Sequence, residues 1–134
     1  MIKKIDHIAI VVENIDEEIK KYQEILGLSF SGTEVVADQK VKTALFDIGD
    51  LHIELLEPLG DDSPVSNFLT KRGGGIHHIA YEVDDIQEQL KILRADQVSI
   101  LSEKPTRGRN DSLVVFLHPK AFSNVLIELV EKLK

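Results

Sequence analysis

The sequence contains no cysteine among its 134 residues, and this absence excludes several kinds of site. A chain without cysteine forms no disulfide scaffold, no cysteine-based zinc site and no thiol nucleophile. Such a composition fits a reducing compartment, so we expect a cytoplasmic protein.

The sequence also lacks an excess of basic charge and a long apolar run. Its formal net charge is −7, and we expect no nucleic-acid partner because nucleic-acid binding needs a basic surface. No apolar stretch approaches the roughly 20 residues of a membrane-spanning helix, so we expect no membrane partner. The first apolar run ends at Glu13 without a small-residue cleavage site, which predicts a strand rather than a signal peptide.

What the sequence does contain is an internal repeat. Residues 6–15 resemble residues 77–86 at an offset of 71, and residues 53–57 resemble residues 127–131 at an offset of 74. Two matches in the same order predict a duplicated half of about 60 residues.

Each half is predicted to fold in the order βαβββ. β-Branched and apolar residues predict four strands in each half, near residues 4–12, 28–36, 41–48 and 51–57, then 76–83, 97–101, 112–117 and 124–131. Asn14 and Asp85 are predicted N-caps of the two helices, and Gly27 is a typical residue to end the first helix. Residues 107–111 are predicted to form a loop.

The length suits a single domain over residues 1–134, with a first module at about 4–57, a linker at 58–75 and a second module at about 76–131. In the linker, Val65, Phe68 and Leu69 predict one apolar face of a short helix. The three glycines at 73–75 end it, and they lack the lysine and hydroxyl neighbours of a phosphate-binding loop.

Four ionisable residues recur at equivalent positions of the repeat, on strand faces that are otherwise largely apolar. Taken singly, a histidine or glutamate on a strand is more often a core or solvated residue than a ligand. A buried carboxylate needs a partner, however, and two imidazoles with two carboxylates from two repeats fit one divalent cation. The predicted ligands are His7, Glu54, His78 and Glu128.

The other three histidines lack this repeated pattern. His77 points to the opposite strand face from His78, and His118 precedes Pro119 in a predicted turn. His52 shares a face with Glu54, but its repeat equivalent is a leucine. We predict that none of these three is a ligand. Of the three, His52 is the strongest candidate for a ligand.

Several stretches together resemble the vicinal oxygen chelate superfamily of glyoxalases, bleomycin resistance proteins and dioxygenases, and within it the methylmalonyl-CoA epimerase family. The stretches that carry the resemblance are residues 6–9, 53–58, 63–64, 68–69, 75–80, 116–120 and 126–129. The resemblance implies an α+β fold in which two tandem βαβββ modules form a curved sheet around a metal cavity.

The resemblance also implies which residues bind the metal. The family ligands fall on His7, His78 and Glu128, and the fourth falls on Glu54, where some epimerases have glutamine and glyoxalase I has glutamate. The ion would be Zn, Co, Ni or Mn, since all ligands are nitrogen or oxygen. A carboxylate that acts as a second base in some relatives is replaced here by Thr43.

Two loops depart from the epimerase pattern. Arg107-Gly108-Arg109-Asn110-Asp111 stands where epimerases are usually glycine-rich, and Ser123-Asn124 replaces the usual Gly-Gly before the last strand.

The expected function is a metal-dependent epimerase of a 2-acyl-CoA such as methylmalonyl-CoA, with Glu128 as the base and Glu54 as its partner. One alternative is a glyoxalase I-type lyase acting on a thiol–methylglyoxal adduct. Another is a drug-binding resistance protein of the same fold. The expected partners are a small acyl-CoA substrate and a second copy of the chain in a homodimer.

Overall fold

The computed structural model describes residues 1–133, and the chain divides into two compact units. The first unit is His7–His77, and the second unit joins Met1–Asp6 to the chain from His78 onward. The described elements, in chain order, are β1 (Ile2–Val11), α1 (Ile15–Lys20), β2 (Ser29–Val36), β3 (Val41–Ile48), β4 (Leu51–Pro58), α2 (Ser66–Arg72), β5 (Gly75–Val83), α3 (Ile86–Ala95), β6 (Thr106–Gly108), β7 (Ser112–Leu117) and β8 (Ile127–Lys132). The α+β class and the βαβββ order in each half are confirmed.

The sheet of the first unit has the strand order β2-β3-β4-β1. β1 and β4 are parallel, and the other neighbours are antiparallel. Side chains alternate between the two faces of such a sheet. The face towards α1 is lined by a buried cluster of Val12, Ile15, Ala44, Phe46 and Leu55.

Helix α1 begins as the sequence predicts. The side chain of Asn14 accepts a hydrogen bond from the backbone N–H of Glu17, at 3.2 Å. The helix continues into a π-helical segment, Lys21–Ile25. Gly27 follows with a φ of +72°, a left-handed conformation that suits glycine at a helix end.

The other face of the first unit carries a second apolar cluster, formed by Ala9, Val11, Val36, Val41, Leu56 and Val65. Phe68 and Leu69 of α2 pack against it, which confirms the predicted apolar face of the linker helix. After α2 the chain passes close to β1. A Cβ atom at Gly74 would lie 2.9 Å from the carbonyl oxygen of Val11, so only glycine fits there.

The sheet of the second unit has the order β1-β5-β8-β7-β6, with residues 2–6 of β1 at one edge. β5 and β8 are parallel, as β1 and β4 are in the first unit. Asp85 caps α3 by accepting from the N–H groups of Gln87 and Glu88. Helix α3 packs on a cluster of Val83, Ile86, Leu90, Val115, Leu117 and Leu129.

Three expectations for the second half were wrong. Residues 97–101 form no strand, because Gln97 adopts a left-handed φ of +61° and Ile100 makes only a single bridge to Leu117. The edge strand is instead β6, which takes residues 106–108 and so overlaps the predicted loop. β8 also begins later than expected, since Ser123 and Asn124 have φ of +56° and +67°. Among residues 1–133, no helix has the length and apolarity needed to cross a membrane.

Candidate metal centre

The first unit brings His7 and Glu54 together on neighbouring strands. The distance from His7 Nε2 to Glu54 Oε1 is 3.3 Å. Glu54 lies opposite Ala9 on β1 and opposite Leu45 on β3. The small side chain of Ala9 leaves room beside the carboxylate, so that the histidine two residues earlier on β1 reaches it.

The second unit repeats this arrangement with His78 and Glu128. The distance from His78 Nε2 to Glu128 Oε1 is 3.0 Å. Glu128 lies opposite Ala80 on β5 and Phe116 on β7. The imidazole of His78 also contacts Phe116 edge-on, with ring centroids 5.1 Å apart and an interplanar angle of 89°. Phe116 thus restricts the orientation of that ring.

All four side chains are buried. Their residues expose between 3% and 8% of their surface. Burial makes an uncompensated charge costly, so each carboxylate requires a cation or hydrogen-bond donors nearby. His7, Glu54 and His78 each offer one ligand atom of a kind that metal ions bind. Glu128 lies beside His78 but is not a member of this group of three. The chemistry of the donor set therefore fits a divalent transition metal.

The remaining histidines have different surroundings. The Nδ1 atom of His52 lies 2.8 Å from Oδ1 of Asp47, and His77 stacks edge-on against Phe68 at 5.0 Å. His118 caps a short 3₁₀ turn, where its Nδ1 accepts a hydrogen bond from the N–H of Lys120 at 3.1 Å. His118 accordingly has a structural role, and His52 has a carboxylate partner of its own.

Thr43 lies on β3, at the position where some relatives have a carboxylate that acts as a second base. Its side chain is buried, and its hydroxyl donates a hydrogen bond to the backbone carbonyl of Glu34 at 3.2 Å. Glu34 lies directly opposite Thr43 on β2. A hydroxyl at this position anchors the neighbouring strand instead of supplying a carboxylate.

The model of the Glyoxalase/Bleomycin resistance protein/Dioxygenase superfamily matches residues 6–116, which is most of the chain. The chain belongs to this superfamily. Its matched region contains three of the four predicted ligands and ends before the fourth, Glu128.

Characterised members of the superfamily resemble the chain over nearly its whole length. Methylmalonyl-CoA epimerase, mitochondrial, from Dictyostelium discoideum is 42% identical over 132 residues, covering 98% of this chain and 80% of the relative. The crystal structure of methylmalonyl-CoA epimerase from Mycobacterium tuberculosis superposes with a TM-score of 0.95 at 35% identity, covering 99% of this chain and 90% of that one.

A third relative was solved with a ligand. It is a variant of Streptomyces coelicolor methylmalonyl-CoA epimerase in complex with 2-nitronate-propionyl-CoA. It superposes with a TM-score of 0.94 at 35% identity, and the match covers 100% of both chains.

Sequence reasoning missed the residues that surround the predicted ligands. Strand alternation places Ala9 on the face of His7 and Ala80 on the face of His78, but it does not place them opposite Glu54 and Glu128. The repeat does not predict the contact between His78 and Phe116. Phe116 lies opposite Glu128, but the equivalent residue opposite Glu54 in the first unit is Leu45 and not an aromatic residue. The pairing of His52 with Asp47 depends on the register of β3 against β4 and was also missed.

Proposed function

We propose that this protein is a metal-dependent epimerase of a 2-acyl-CoA such as methylmalonyl-CoA. The observation that carries the proposal is the duplicated His–Glu pair, which is buried and built on the same parallel strand register in both units. Two such pairs supply a ligand set of two imidazoles and two carboxylates. Membership of the superfamily and the similarity to epimerases support the same assignment.

In this proposal one divalent ion is bound by His7, Glu54, His78 and Glu128. When bound, such an ion acts as a Lewis acid towards the carbonyl oxygens of the substrate, which is worth several kcal/mol in stabilising developing negative charge. Zn, Co, Ni and Mn all suit nitrogen and oxygen ligands of this kind.

The carboxylates of the chain would move the proton. Glu128 is the proposed base that removes the hydrogen at C2, between the two carbonyl groups, and Glu54 is its proposed partner. A carboxylate that would also hold the metal would be a weaker base, because a nearby cation favours the ionised form. The imidazoles of His7 and His78 remain as the nitrogen ligands.

The apolar residues around each carboxylate would keep water away from the exchanged proton. Ala80, Val114 and Val130 form a buried cluster on the strand face that Glu128 shares. Ala9, Val11 and Leu56 lie correspondingly on the face of Glu54. Exclusion of water prevents solvent from competing for the proton during the reaction.

The ligand of the Streptomyces relative supports an enolate-forming reaction. A nitronate carries its negative charge on oxygen atoms attached to a planar carbon, as an enolate does. A superfamily member with a TM-score of 0.94 to this chain thus accommodates a charge distribution of the kind that proton removal at C2 creates.

Turnover of a single epimer tests the proposal. Metal-loaded protein is incubated with (2R)- or (2S)-methylmalonyl-CoA and, in parallel, with methylglyoxal plus a thiol. We expect interconversion of the two epimers and no consumption of the thiol adduct. Consumption of the adduct without interconversion would support the glyoxalase-type alternative. Inactivity towards both would favour a binding protein.

A further inference from the structure

A histidine side chain does not by itself fix the direction in which its ring nitrogens point. The torsion that turns the ring has a broad energy profile, so the groups around the ring determine its orientation. Groups that orient a metal ligand in this way contribute to the affinity of the site, although they do not touch the ion. His78 is one of the three side chains that together offer ligand atoms to an ion, so the contacts that orient its ring matter for that site.

Two neighbours lie against the imidazole of His78. Its Nε2 atom is 3.0 Å from Oε1 of Glu128, on the adjacent strand β8. The centroid of the Phe116 ring is 5.1 Å from the centroid of the imidazole, and the two ring planes are perpendicular within 1°, at 89°. Perpendicular aromatic rings at this separation attract each other, and the attraction depends on the angle between them. A rotation of the imidazole would therefore weaken this contact.

Phe116 reaches His78 from two strands away. The strand order is β5-β8-β7, with His78 on β5 and Phe116 on β7, where it lies directly opposite Glu128. Neighbouring strands are about 4.8 Å apart, so the backbones of β5 and β7 are separated by roughly 10 Å. The ring of Phe116 extends over β8 to meet the imidazole. A shorter aliphatic side chain at this position would lack both the reach and the aromatic ring.

The fold itself does not require an aromatic residue opposite the glutamate. In the first unit the equivalent position opposite Glu54 is occupied by Leu45, which is buried. In the second unit, His78 and Glu128 are 4% and 3% exposed, while Phe116 is half-buried. The phenylalanine is thus a feature of one half of the repeat, beside a buried histidine whose ring it contacts.

We propose that Phe116 is a positioning residue for His78, a role that rests on the metal binding of the proposed function. The ring of Phe116 holds the imidazole in the plane that directs Nε2 towards Glu128. With leucine in its place, the imidazole would occupy several orientations, and only some of them would be able to bind an ion. The apparent affinity for the ion falls in proportion to the fraction of chains that have the competent orientation.

Metal titration of matched variants tests this role. Metal-free wild type, Phe116→Leu, Phe116→Tyr and the control Leu117→Val are titrated with Co²⁺, and the affinity, the visible spectrum of the bound ion and the Tm are measured. Leu117 is 2% exposed and packs in the cluster beneath α3, on the opposite face of β7. Leu117→Val therefore loosens the same strand without changing the ring beside His78.

We expect Phe116→Leu to bind Co²⁺ about 10-fold more weakly than wild type and to give an altered spectrum. Phe116→Tyr keeps the ring and should retain the wild-type affinity and spectrum. Leu117→Val should lower the Tm but leave the affinity and the spectrum unchanged. A role in packing alone would instead make affinity follow the Tm in all three variants.

Wild-type affinity and spectrum in Phe116→Leu would overturn the role of Phe116. An equal loss of affinity in Phe116→Tyr or in Leu117→Val would also overturn it, because the effect would then not depend on the ring. Epimer turnover by wild type separates these results from the proposed function. Wild type that binds Co²⁺ but leaves both epimers unchanged refutes the epimerase proposal alone, and wild type that binds no ion refutes both proposals.

Discussion

The carboxylate of Glu128 is the single group on which the proposed chemistry depends most. We predict that Glu128→Gln loses C2 exchange by about 10²-fold or more, even at saturating metal, and stays folded. Glutamine keeps the shape of the side chain and can offer an oxygen to a metal, but it cannot accept the proton. NMR exchange and metal content, measured beside Glu54→Gln, check this.

Excess metal distinguishes a Glu128 that acts as a base from one that only binds metal. A residue that only binds metal would lose affinity, and excess metal would restore the rate. Full exchange in metal-replete Glu128→Gln would move the role of base to Glu54 or elsewhere. Lower thermal stability with near-normal activity would show that the carboxylate is structural.

At this scale the sequence predicted the four candidate ligands but not their surroundings. Two offsets, 71 and 74, were sufficient to place histidine and glutamate in equivalent positions of both halves. Which residues lie beside them depends on strand register, and register is fixed by packing across the whole sheet. The contact of Phe116 with His78 could therefore be found only in the structure.

At the scale of elements, two repeated glutamates tie a strand to the start of a helix. Glu57 at the end of β4 accepts a hydrogen bond from the N–H of Ile15 at 2.8 Å, and Glu131 on β8 accepts from the N–H of Ile86 at 2.9 Å. The first N–H groups of a helix lack partners within it, and its positive end attracts a carboxylate. Each glutamate supplies the missing acceptor.

We predict that Glu57→Gln lowers the free energy of unfolding by about 1 kcal/mol, because the charge on the acceptor is removed from a partly buried helix start. Glu13→Gln, an exposed change of the same kind nearby, should have almost no effect. Urea unfolding followed by circular dichroism measures both. Equal stability of the two variants would show that the contact contributes nothing.

The π-helical segment after α1 gives the protein a sensitivity to high pH. Burial of the Tyr22 phenol raises its pKa above 10.0, and the carboxylate of Glu18 raises it further. Because the pKa of Tyr22 is higher in the folded than in the unfolded chain, the neutral phenol contributes to the free energy of unfolding, and this contribution is fully present below pH 10.0. It is lost as the pH rises through the folded pKa.

The matched variant for this effect is Tyr22→Phe, which keeps the ring that packs 5.5 Å from Phe46. We expect wild type to lose more stability than Tyr22→Phe between neutral pH and a pH well above 10.0. Urea unfolding of both proteins across that range measures the difference. Parallel pH profiles would contradict the assignment.

The elements were predicted well where capping and periodicity agreed. Asn14, Asp85 and Gly27 are at the helix ends that their residue types indicated. Residues 97–101 were assigned to a strand from their β-branched composition alone. Gln97 instead adopts a left-handed conformation, which prevents a regular strand from starting there. Glycine often indicates such a conformation in a sequence, but glutamine does not.

At the scale of the whole molecule, the compact units do not coincide with the two halves of the repeat. Residues 1–6 belong to the second unit, where the N–H of Asp84 donates to the carbonyl of Met1 and Lys3 pairs with Glu82 at 3.4 Å. Asp6 is likewise 2.9 Å from Lys132. A repeat shows that two halves are alike but not that the first strand is shared between units.

Other expectations at this scale stay predictions. They are the single domain, the homodimer and the cytoplasmic location, and sedimentation at micromolar concentration would check the dimer. The Dictyostelium relative is named as a mitochondrial protein.

The most direct test of the account is the number of divalent ions bound per chain, together with its dependence on each His–Glu pair. Metal-free protein is titrated with Zn²⁺ or Co²⁺ and compared with His7→Ala and His78→Ala. If the two pairs hold one ion, wild type binds one ion per chain, and either substitution alone weakens the same binding event. Two independent ions per chain, or an affinity that one of the substitutions leaves unchanged, would contradict the account.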